Sequence, residues 1–471
     1  MRDAQTIISN VDEKKQLTAI NKFHRLLQTN TAAVPVLALI IAASSNALLP
    51  TKANAADIEA PAPAQAQAQA QEITADSFAD KLANAFKDGT ILFDSRLRYE
   101  FADQDFIPGE PDPDNANALT FRARFGFETA AFYGIKLLAE GDFTRDLGID
   151  DFNSTTNGQG GPGGFPVIAD PDSERLNRFQ FTYEGVIPDT KITAGRQRIK
   201  LDNDRFIGNV GFRQNEQTYD GVRVQNTIVD NLTLDYSYIY QVNRIFGSDS
   251  AIGTEDTNSH LINASYALPF GKVTGYAYLL DFEEALINAS SSNIGGRIDL
   301  KHKLNDDLSL GLIGEFANQT DFADAAADFD HNYYLIQGSA SWKNLTLKAA
   351  FEVLEGDGNT AFSTPLATLH AFQGDADVFL ATPADGIEDL QFGLDYKVKD
   401  VPVLGDTRFK AVYHRFTSEN TDANLGDEFD FGIYTKPIKG VSASIEYADF
   451  RSDTPTISDL RRLFVTVGFK Y

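Results

Sequence analysis

Residues 460–471 read LRRLFVTVGFKY, and the alternation within this stretch decides the fold. Every second residue from Leu463 to Tyr471 is apolar, whereas the residues between them are mostly polar or small. Successive side chains of a β-strand point to opposite faces, so the stretch predicts a strand with one apolar and one polar face. A soluble sandwich seldom ends on such a strand, because an exposed apolar edge invites aggregation. The pattern therefore favours a wall between lipid and water.

The same alternation recurs from Ile91 to the end of the chain. Most of the alternating runs are close to the ~9–11 residues that a tilted strand needs to cross a bilayer. We divide this region into eighteen runs, with sixteen as the fallback count. The runs are 91–101, 119–130, 134–144, 175–185, 190–199, 217–226, 231–242, 258–268, 271–283, 292–301, 307–318, 331–342, 344–355, 387–398, 406–417, 427–436, 441–451 and 460–471.

The connections between these runs alternate between short and long. Residues 132–133 and 269–270 are short connections, whereas 145–174, 200–216 and 356–386 are long ones. Short periplasmic turns opposite long extracellular loops are typical of outer-membrane barrels, and an even strand number returns both ends to the periplasm. The sequence thus predicts an all-β fold, a transmembrane antiparallel up-and-down β-barrel over residues 89–471. Its predicted location is the outer membrane of a Gram-negative bacterium.

The region before the barrel predicts export. An apolar run from Thr31 to Leu49 follows several Lys and Arg, and an A-x-A arrangement ends at Ala55. These features predict a signal peptide over residues 1–55, with a transmembrane anchor as the alternative. Residues 56–88 begin with an Ala/Pro/Gln-rich stretch and predict a periplasmic leader that ends in a possible short helix.

Composition excludes several classes of protein. The formal charge is −26, and residues 1–55 hold six basic and three acidic side chains, so the exported chain would carry −26 − 3 = −29. Such a charge excludes a nucleic-acid binder. The chain has no Cys, which fits an oxidising compartment. The six His lack the spacing of a zinc site, so we predict no metal and no cofactor. They stand at positions 24, 260, 302, 331, 370 and 414.

One region of the sequence carries a distinctive motif. Its four blocks are Gly195-Arg196-Gln197-Arg198, the run from Asp202 to Asn209, Arg213-Gln214-Asn215-Glu216 and Tyr219-Asp220-Gly221-Val222. Their combination resembles the signature of the alginate-export-like porin family of Gram-negative outer membranes. Residues 96–100 and 379–386 agree with that family too, and the resemblance covers about residues 90–471.

The resemblance implies a single-chain porin rather than an enzyme. Its polar lumen would pass small hydrophilic solutes that are anionic or sugar-like, among them alginate or related oligosaccharides. Two alternatives stay open at this point, namely a surface recognition or adhesin barrel with a plugged lumen and an outer-membrane hydrolase. For the hydrolase, no local motif matches His414 to a nucleophilic serine.

We predict that arginine lines the pore, because a guanidinium stays charged and offers planar donors that suit anions and hydroxyl-rich sugars. The predicted pore-lining and selectivity residues are Arg96, Arg98, Glu100, Arg122, Arg124, Glu128, Arg178, Arg196, Arg198, Asp202, Asp204, Arg205, Arg213 and Asp220. The alternative is an ionic ladder that only stabilises a wet interior. In that alternative Arg122, Arg124, Arg196 and Arg205 pair with Glu128, Glu184, Asp204 and Asp220.

The last strand also predicts how the barrel is assembled. An apolar strand that ends in an aromatic residue resembles the targeting signal of outer-membrane barrels, so Phe469 and Tyr471 are the predicted assembly signal. The predicted partners are the barrel-assembly machinery, outer-membrane lipid with lipopolysaccharide, and small hydrophilic solutes, with no nucleic acid.

Overall fold

The computed structural model describes residues 75–105, 107, 111–161, 163–185 and 187–471. The predicted signal peptide and most of the predicted leader lie outside these residues. One α-helix, α1 (Ala75–Lys87), precedes the strands in the sequence. Within the described residues, none of the helices is both long enough and apolar enough to cross a membrane.

Eighteen strands follow in the described part of the chain. They are β1 (Thr90–Gln104), β2 (Ala116–Glu128), β3 (Ile135–Asp151), β4 (Ser173–Glu184), β5 (Thr190–Gln197), β6 (Thr218–Asn226), β7 (Leu232–Asn243), β8 (Thr254–Leu268), β9 (Gly271–Leu280), β10 (Ser291–Lys303), β11 (Leu308–Asp321), β12 (Asp330–Trp342), β13 (Leu345–Leu354), β14 (Ile387–Val401), β15 (Gly405–Thr417), β16 (Asn424–Lys436), β17 (Val441–Ser452) and β18 (Leu460–Lys470). Short 3₁₀ turns occupy Ile287–Ala289 and Leu369–Ala371.

The sheet closes on itself. Each strand pairs antiparallel with its sequence neighbours, and β18 pairs with β1 through partners such as Thr466 and Arg98. Closure leaves no unpaired edge, which is what a sheet in lipid requires because the bilayer core offers no hydrogen-bond partners. The predicted all-β barrel is confirmed, and its strand number is eighteen rather than the fallback of sixteen.

The two faces of the wall differ as the alternation predicts. Large apolar side chains such as Phe125 and Ile336 are 63% and 59% exposed on the outer face. Polar and charged side chains such as Thr120, Ser237 and Asp430 are buried on the inner face. Residues that pair directly across neighbouring strands lie on the same face. The register therefore tells, for each strand residue, whether it faces lipid or the lumen.

One predicted irregularity lies elsewhere. The loss of phase near Gly195 suggests a β-bulge, but the pairing of β4 with β5 runs through Gly195 without a register shift. Gly195 instead takes a φ of +109°, and a Cβ there would lie 2.3 Å from the Phe179 carbonyl oxygen. The register shifts nearest to it lie at Glu140/Gly141 in the pairing of β3 with β4 and at Asp220/Gly221 in the pairing of β6 with β7. The prediction of a bulge at Gly195 is therefore wrong, and backbone conformation explains the glycine.

Three long connections fold against the inner wall, and we name them L2 (152–172), L3 (198–217) and L7 (355–386). Phe206 of L3 packs against Tyr276 of β9, Tyr333 of β12 and Phe362 of L7, with ring centroids 5.2 to 5.9 Å apart. These rings belong to one buried cluster that also includes residues of L2. The apolar core of the protein thus lies inside the barrel, between the loops and the wall.

Candidate functional site

Four arginines form a basic patch on the inner face of the first two strands. Arg96 pairs directly with Arg122 across β1 and β2, and Arg98 and Arg124 follow two residues away on the same faces. Alternation along β1 and β2 places all four guanidinium groups in the lumen. The structure thus brings together the four wall arginines that the sequence predicts, and we call them the arginine patch.

Loop L3 docks on the arginine patch through backbone carbonyls. Arg96 donates to the Gly211 carbonyl oxygen at 3.1 Å, to the Gln214 side-chain oxygen at 3.0 Å, and to the Arg213 carbonyl oxygen. Arg124 donates to the Gln214 carbonyl oxygen at 3.0 Å. A charged donor strengthens such hydrogen bonds, so the wall fixes the position of the loop inside the barrel.

Glu216 is the main acidic contact between L3 and the wall. Its carboxylate lies 3.4 Å from Arg124, forms an ion pair with Arg198, and accepts hydrogen bonds from Asn177 at 2.7 Å and Asn209 at 2.6 Å. Burial alone would raise the pKa of Glu216, but Arg124, Arg198 and Asn177 together hold that pKa well below its usual range. The loop carboxylate therefore stays ionised at neutral pH.

Arg213 joins L3 to three other parts of the barrel. Its guanidinium lies 2.9 Å from Glu100 of β1, 2.9 Å from Asp377 of L7 and 3.8 Å from Asp170 of L2. Burial alone would lower the pKa of Arg213, but these three carboxylates together raise it above its ordinary value. Arg462 of β18 also lies 2.9 Å from Glu100, so the first and last strands meet the loops at one buried ionic network.

Arg98 differs from the other members of the patch. Its guanidinium stacks over the Phe212 ring at 4.1 Å and donates to the Thr466 hydroxyl at 3.2 Å. Within the described residues, neither Arg98 nor Arg96 has a carboxylate oxygen within 4.0 Å. The Nη1 atom of Arg98 is buried without a hydrogen-bond partner. These two positive charges are therefore not cancelled by direct ion pairs.

Loops L3 and L7 contact each other inside the barrel. The Gly208 amide donates to the Leu366 carbonyl oxygen at 2.9 Å, and the Thr368 amide donates to the Asp204 carbonyl oxygen at 3.0 Å. Arg205, only 1% exposed, lies 3.0 Å from Glu352 of β13. Arg205 therefore anchors L3 to the wall opposite the arginine patch, and the two loops form a bridge across the lumen.

Most of the remaining predicted loop and wall residues are engaged in pairs. Arg178 lies 2.7 Å from Glu140, Asp202 lies 2.8 Å from Lys272, and Asp204 lies 2.7 Å from Lys200. Glu128 lies on the inner face of β2, four residues closer to the periplasmic turn than Arg124. These residues line the interior but lie outside the arginine patch.

Two predicted pore residues lie on the other side of the wall. Arg196 pairs across the strands with Phe179 on one side and with Asp220 on the other. Phe179 is 40% exposed on the apolar outer face, so Arg196 and Asp220 lie on that face as well. Alternation from Ile192 through Ala194 leads to this same face, so the prediction of a lumen position follows the charge of the two residues and not the phase of the strands. They form an outward ion pair at 2.8 Å.

Only one of the predicted structural ion pairs is present, namely Arg196 with Asp220. Arg122 instead pairs with Asp94, and Arg124 lies 2.9 Å from Asp142. Sequence reasoning missed the partners from L2 and L7, because a loop that folds inward leaves no periodic pattern. A useful signal was available in L7, where apolar residues such as Phe362 are too numerous for a solvated loop.

A hydrolytic site at His414 does not fit the geometry. Its Nδ1 atom lies 3.0 Å from Asp389 and its Nε2 atom lies 3.3 Å from Asp430. Both ring nitrogens face carboxylates, so neither is left to activate a serine hydroxyl. Among the described residues, no group of three or more His, Cys, Asp or Glu side chains is arranged to hold a metal ion.

The predicted assembly residues lie at the seam of the barrel. Phe469 pairs with Ser95 of β1 and with Val441 of β17, and its ring centroid lies 6.1 Å from that of Phe93. The Tyr471 amide donates to the Phe93 carbonyl oxygen at 2.9 Å. Both residues thus belong to the contact that closes the barrel.

Comparison with solved structures identifies the fold. OccK9 (OpdG) of Pseudomonas aeruginosa superposes with a TM-score of 0.63 at 15% identity, over 82% of this chain and 100% of that chain. The fold is that of an 18-stranded outer-membrane porin. OccAB4 of Acinetobacter baumannii gives a TM-score of 0.60 at 15% identity, over 81% of this chain and 98% of that chain. OpdK of P. aeruginosa, solved with vanillate, gives 0.61 at 14% identity, over 81% and 98%.

This porin fold places the protein in the outer membrane of a Gram-negative bacterium, as predicted. Its structural neighbours are channels rather than enzymes. No protein-family model matches the chain, and the comparison with curated proteins finds no relative. The likeness at 14–15% identity therefore concerns the fold, and the solute has to be argued from the residues of this chain.

Proposed function

We propose that this protein is an outer-membrane channel for the diffusion of small hydrophilic solutes that carry a carboxylate. One observation carries the proposal, namely that Arg96 and Arg98 face the lumen beside L3 without a carboxylate within 4.0 Å in the described part of the chain. An uncancelled guanidinium next to a constriction attracts anions through its charge. Many acidic residues lie away from these two arginines in the extracellular loops, such as Asp112, Asp114 and Glu284.

Two further points support a small solute. Loops L2, L3 and L7 share a buried core inside the barrel, which leaves less room than an open barrel of eighteen strands. OpdK, a structural neighbour, was solved with vanillate, an aromatic carboxylate. The resemblance to the alginate-export-like family extends the proposal to short acidic oligosaccharides. We also propose that residues 1–55 are a signal peptide that is removed on export. Residues 56–88 then form a periplasmic leader before the barrel.

Reversal potentials in planar bilayers test the proposal. Under a KCl gradient the wild-type channel is expected to prefer chloride, and the double variant Arg96→Gln/Arg98→Gln is expected to lose most of that preference. Arg196→Gln is the matched control, because it removes the same kind of charge from the outer face. A cation-selective wild-type channel, or a double variant with an unchanged reversal potential, would contradict the proposal.

Block of the chloride current by an added solute distinguishes binding of carboxylates from a general preference for anions. Vanillate added to the bath is expected to reduce the chloride current, whereas vanillyl alcohol, its uncharged analogue, is expected to have little effect. The recognition barrel with a plugged lumen is the second candidate, because three loops pack inside the barrel. Absence of any single-channel conductance in correctly folded protein would favour that candidate.

A further inference from the structure

Basic residues are distributed unevenly along the barrel. Outside L3, the extracellular loops contain no Lys, and their one Arg is Arg244. Lysines are instead concentrated where strands approach the short periplasmic turns. Six of them lie near the turns that join β10 to β11, β12 to β13, β14 to β15 and β16 to β17, namely Lys301, Lys303, Lys348, Lys397, Lys399 and Lys436.

The strand register shows that the lysines near the turn between β14 and β15 face the inside of the barrel. Lys397 pairs with Arg408, Arg408 pairs with Tyr434, and the same row continues through β17 to Thr466 of β18. Thr466 pairs with Arg98, which lies on the inner face beside L3. Residues of one cross-strand row share a face, so Lys397, Arg408 and Tyr434 also face the lumen.

A cavity of about 480 Å³ lies against this row. Its lining includes Lys397, Lys399, Arg408, Lys436 and Thr466. Lys436 is the last residue of β16 before the short turn, whereas Thr466 accepts a hydrogen bond from Arg98. The cavity therefore extends from the arginine patch towards the periplasmic end of the lumen, and we call it the periplasmic cavity.

Positive charge in the periplasmic cavity is only partly balanced. In the portion of the chain that the structure describes, Lys397, Lys399 and Lys436 have no carboxylate oxygen within 4.0 Å. Asp395 is shared by Arg408 and Lys348, Asp406 is the acidic residue of the lining, and Glu446 accepts hydrogen bonds from the lining residues Tyr434 and Ser444. Five cations, with Lys348 included, thus face three carboxylates, which leaves an excess of two positive charges.

We propose that the periplasmic cavity is a second anion-binding site, selective for anions that carry two or more charges. Several lysines around one cavity supply point charges on flexible stems, which suits a compact anion with several negative groups rather than one planar carboxylate. The Thr466 hydroxyl accepts a hydrogen bond from Arg98 and keeps its own proton to donate to an anion between these charges. The site differs from the arginine patch, where L3 already occupies most donors.

The position of the periplasmic cavity makes it easier to reach from one side of the membrane than from the other. An anion that arrives from the periplasm meets the periplasmic cavity before it reaches the bridge of L3 and L7, whereas one from outside has to pass that bridge first. A multiply charged anion held there occupies the conduction path and repels further anions. The inference rests on the proposed function, because block can be measured only in an anion-conducting channel.

Sided block of the chloride current tests the inference. The chain has no Cys, so a single Ser248→Cys substitution in the loop between β7 and β8, with an impermeant thiol reagent, reports the orientation of each inserted channel. Citrate, a tricarboxylate, is then added to one chamber at a time, with acetate as the singly charged comparison. Citrate is expected to block from the periplasmic side at an about tenfold lower concentration than from the other side, since citrate from outside has to pass the bridge of L3 and L7 first, and to block more strongly than acetate, since several cations act on one anion.

Two variants test whether the sided block depends on the periplasmic cavity or on positive charge in general. The triple variant Lys397→Gln/Arg408→Gln/Lys436→Gln is expected to lose the sided block, and Lys439→Gln, which removes a charge from the adjacent turn outside the cavity lining, is expected to retain it. Equal block from both sides, or sided block that survives the triple variant, would overturn the inference. If the channel prefers anions in a KCl gradient yet shows no sided block, the inference alone fails and the proposed function stands.

Discussion

Arg213 of L3 donates to Asp377 of L7 at 2.9 Å, and this ion pair joins the two loops that bridge the lumen. The same guanidinium also contacts Glu100 of the first strand. All three side chains are almost inaccessible to solvent. A buried ion pair contributes little by comparison with an apolar alternative, but removal of one partner leaves an uncompensated charge. Loop position in this channel is therefore sensitive to single substitutions.

Arg213→Met is expected to release L3 from its partners. Loss of the guanidinium leaves Glu100 and Asp377 with fewer cations, at a cost of about 3–5 kcal/mol. Trypsin added from the extracellular side is a suitable probe, since Lys200 and Arg205 lie within L3. Fragments that begin at residue 201 or 206 should appear in the variant and not in the wild type.

The control for this substitution is Arg145→Met. Arg145 forms exposed pairs with Asp172 and Glu174, so its loss should cost less than about 1 kcal/mol. Tryptic cleavage of L3 should then remain at the wild-type level. Equal cleavage of both variants would mean that the buried network does not hold the loop.

Acid should open the bridge only well below neutral pH. Burial alone would raise the pKa of Asp377, but His370, Arg213 and Arg462 hold that pKa well below its usual range. A carboxylate with a depressed pKa contributes stability that is fully present above its unfolded value of about 3.9 and is lost as the pH falls further. Single-channel current should therefore stay quiet from pH 7 to about 4.5 and become noisy below that range.

Asp377→Asn provides the comparison for this pH dependence. It removes the charge at every pH, so the variant should show noisy current at neutral pH already. A wild-type channel whose noise rises between pH 7 and 5 would contradict the assignment of Asp377 as the carboxylate that holds the bridge.

Gly208→Ala should separate L3 from L7. A Cβ at this position would lie 2.3 Å from the Thr368 hydroxyl oxygen and 2.9 Å from the Thr368 amide nitrogen. The backbone of one loop has to move away, and a wider passage should raise the single-channel conductance. Gly338→Ala in β12 is the control, because a Cβ there meets nothing within 4 Å. Unchanged conductance in Gly208→Ala would show that the loop contact does not limit the pore.

Residues 469–471 are proposed to act as the assembly signal and to complete the seam. Their deletion removes the pairing of Phe469 with Ser95 and the hydrogen bond from Tyr471 to Phe93. Backbone groups left unpaired in lipid cost several kcal/mol each, so the amount of heat-modifiable barrel in the outer membrane should fall sharply. Tyr471→Ala retains the backbone bond and should assemble better than the deletion. Normal assembly of the truncated chain would remove the basis for this proposal.

The sequence predicts the wall of this protein better than its interior. Alternation and loop lengths determine the strand number and the inner face, because lipid on one side and water on the other impose a period of two on every strand. Arg96, Arg98, Arg122 and Arg124 were found in this way. Contacts made by the inward loops follow no period, and so Glu216, Asp377 and Arg462 were not recognised as parts of the site.

Charge and phase disagree at the clearest error. Arg196 and Asp220 belong to a motif that is rich in charged residues, and the prediction of a lumen position for both rests on that charge. The left-handed backbone at Gly195 leaves the cross-strand register intact, and that register places the pair opposite Phe179. The period of two from Ile192 through Ala194 to Arg196 gives the same outer face, because the residue count between the strands is unchanged.

The ionic network around Arg213 also constrains the order in which the protein can form. Glu100 and Arg462 are 362 residues apart in the chain, and they become neighbours only when the last strand pairs with the first. Before the barrel closes, the ionic network that fixes L3 lacks Arg462, so the loops inside the lumen are held by fewer contacts. Closure of the wall and locking of the passage are thus one late event in biogenesis, and a chain stalled before that event would be a leaky pore.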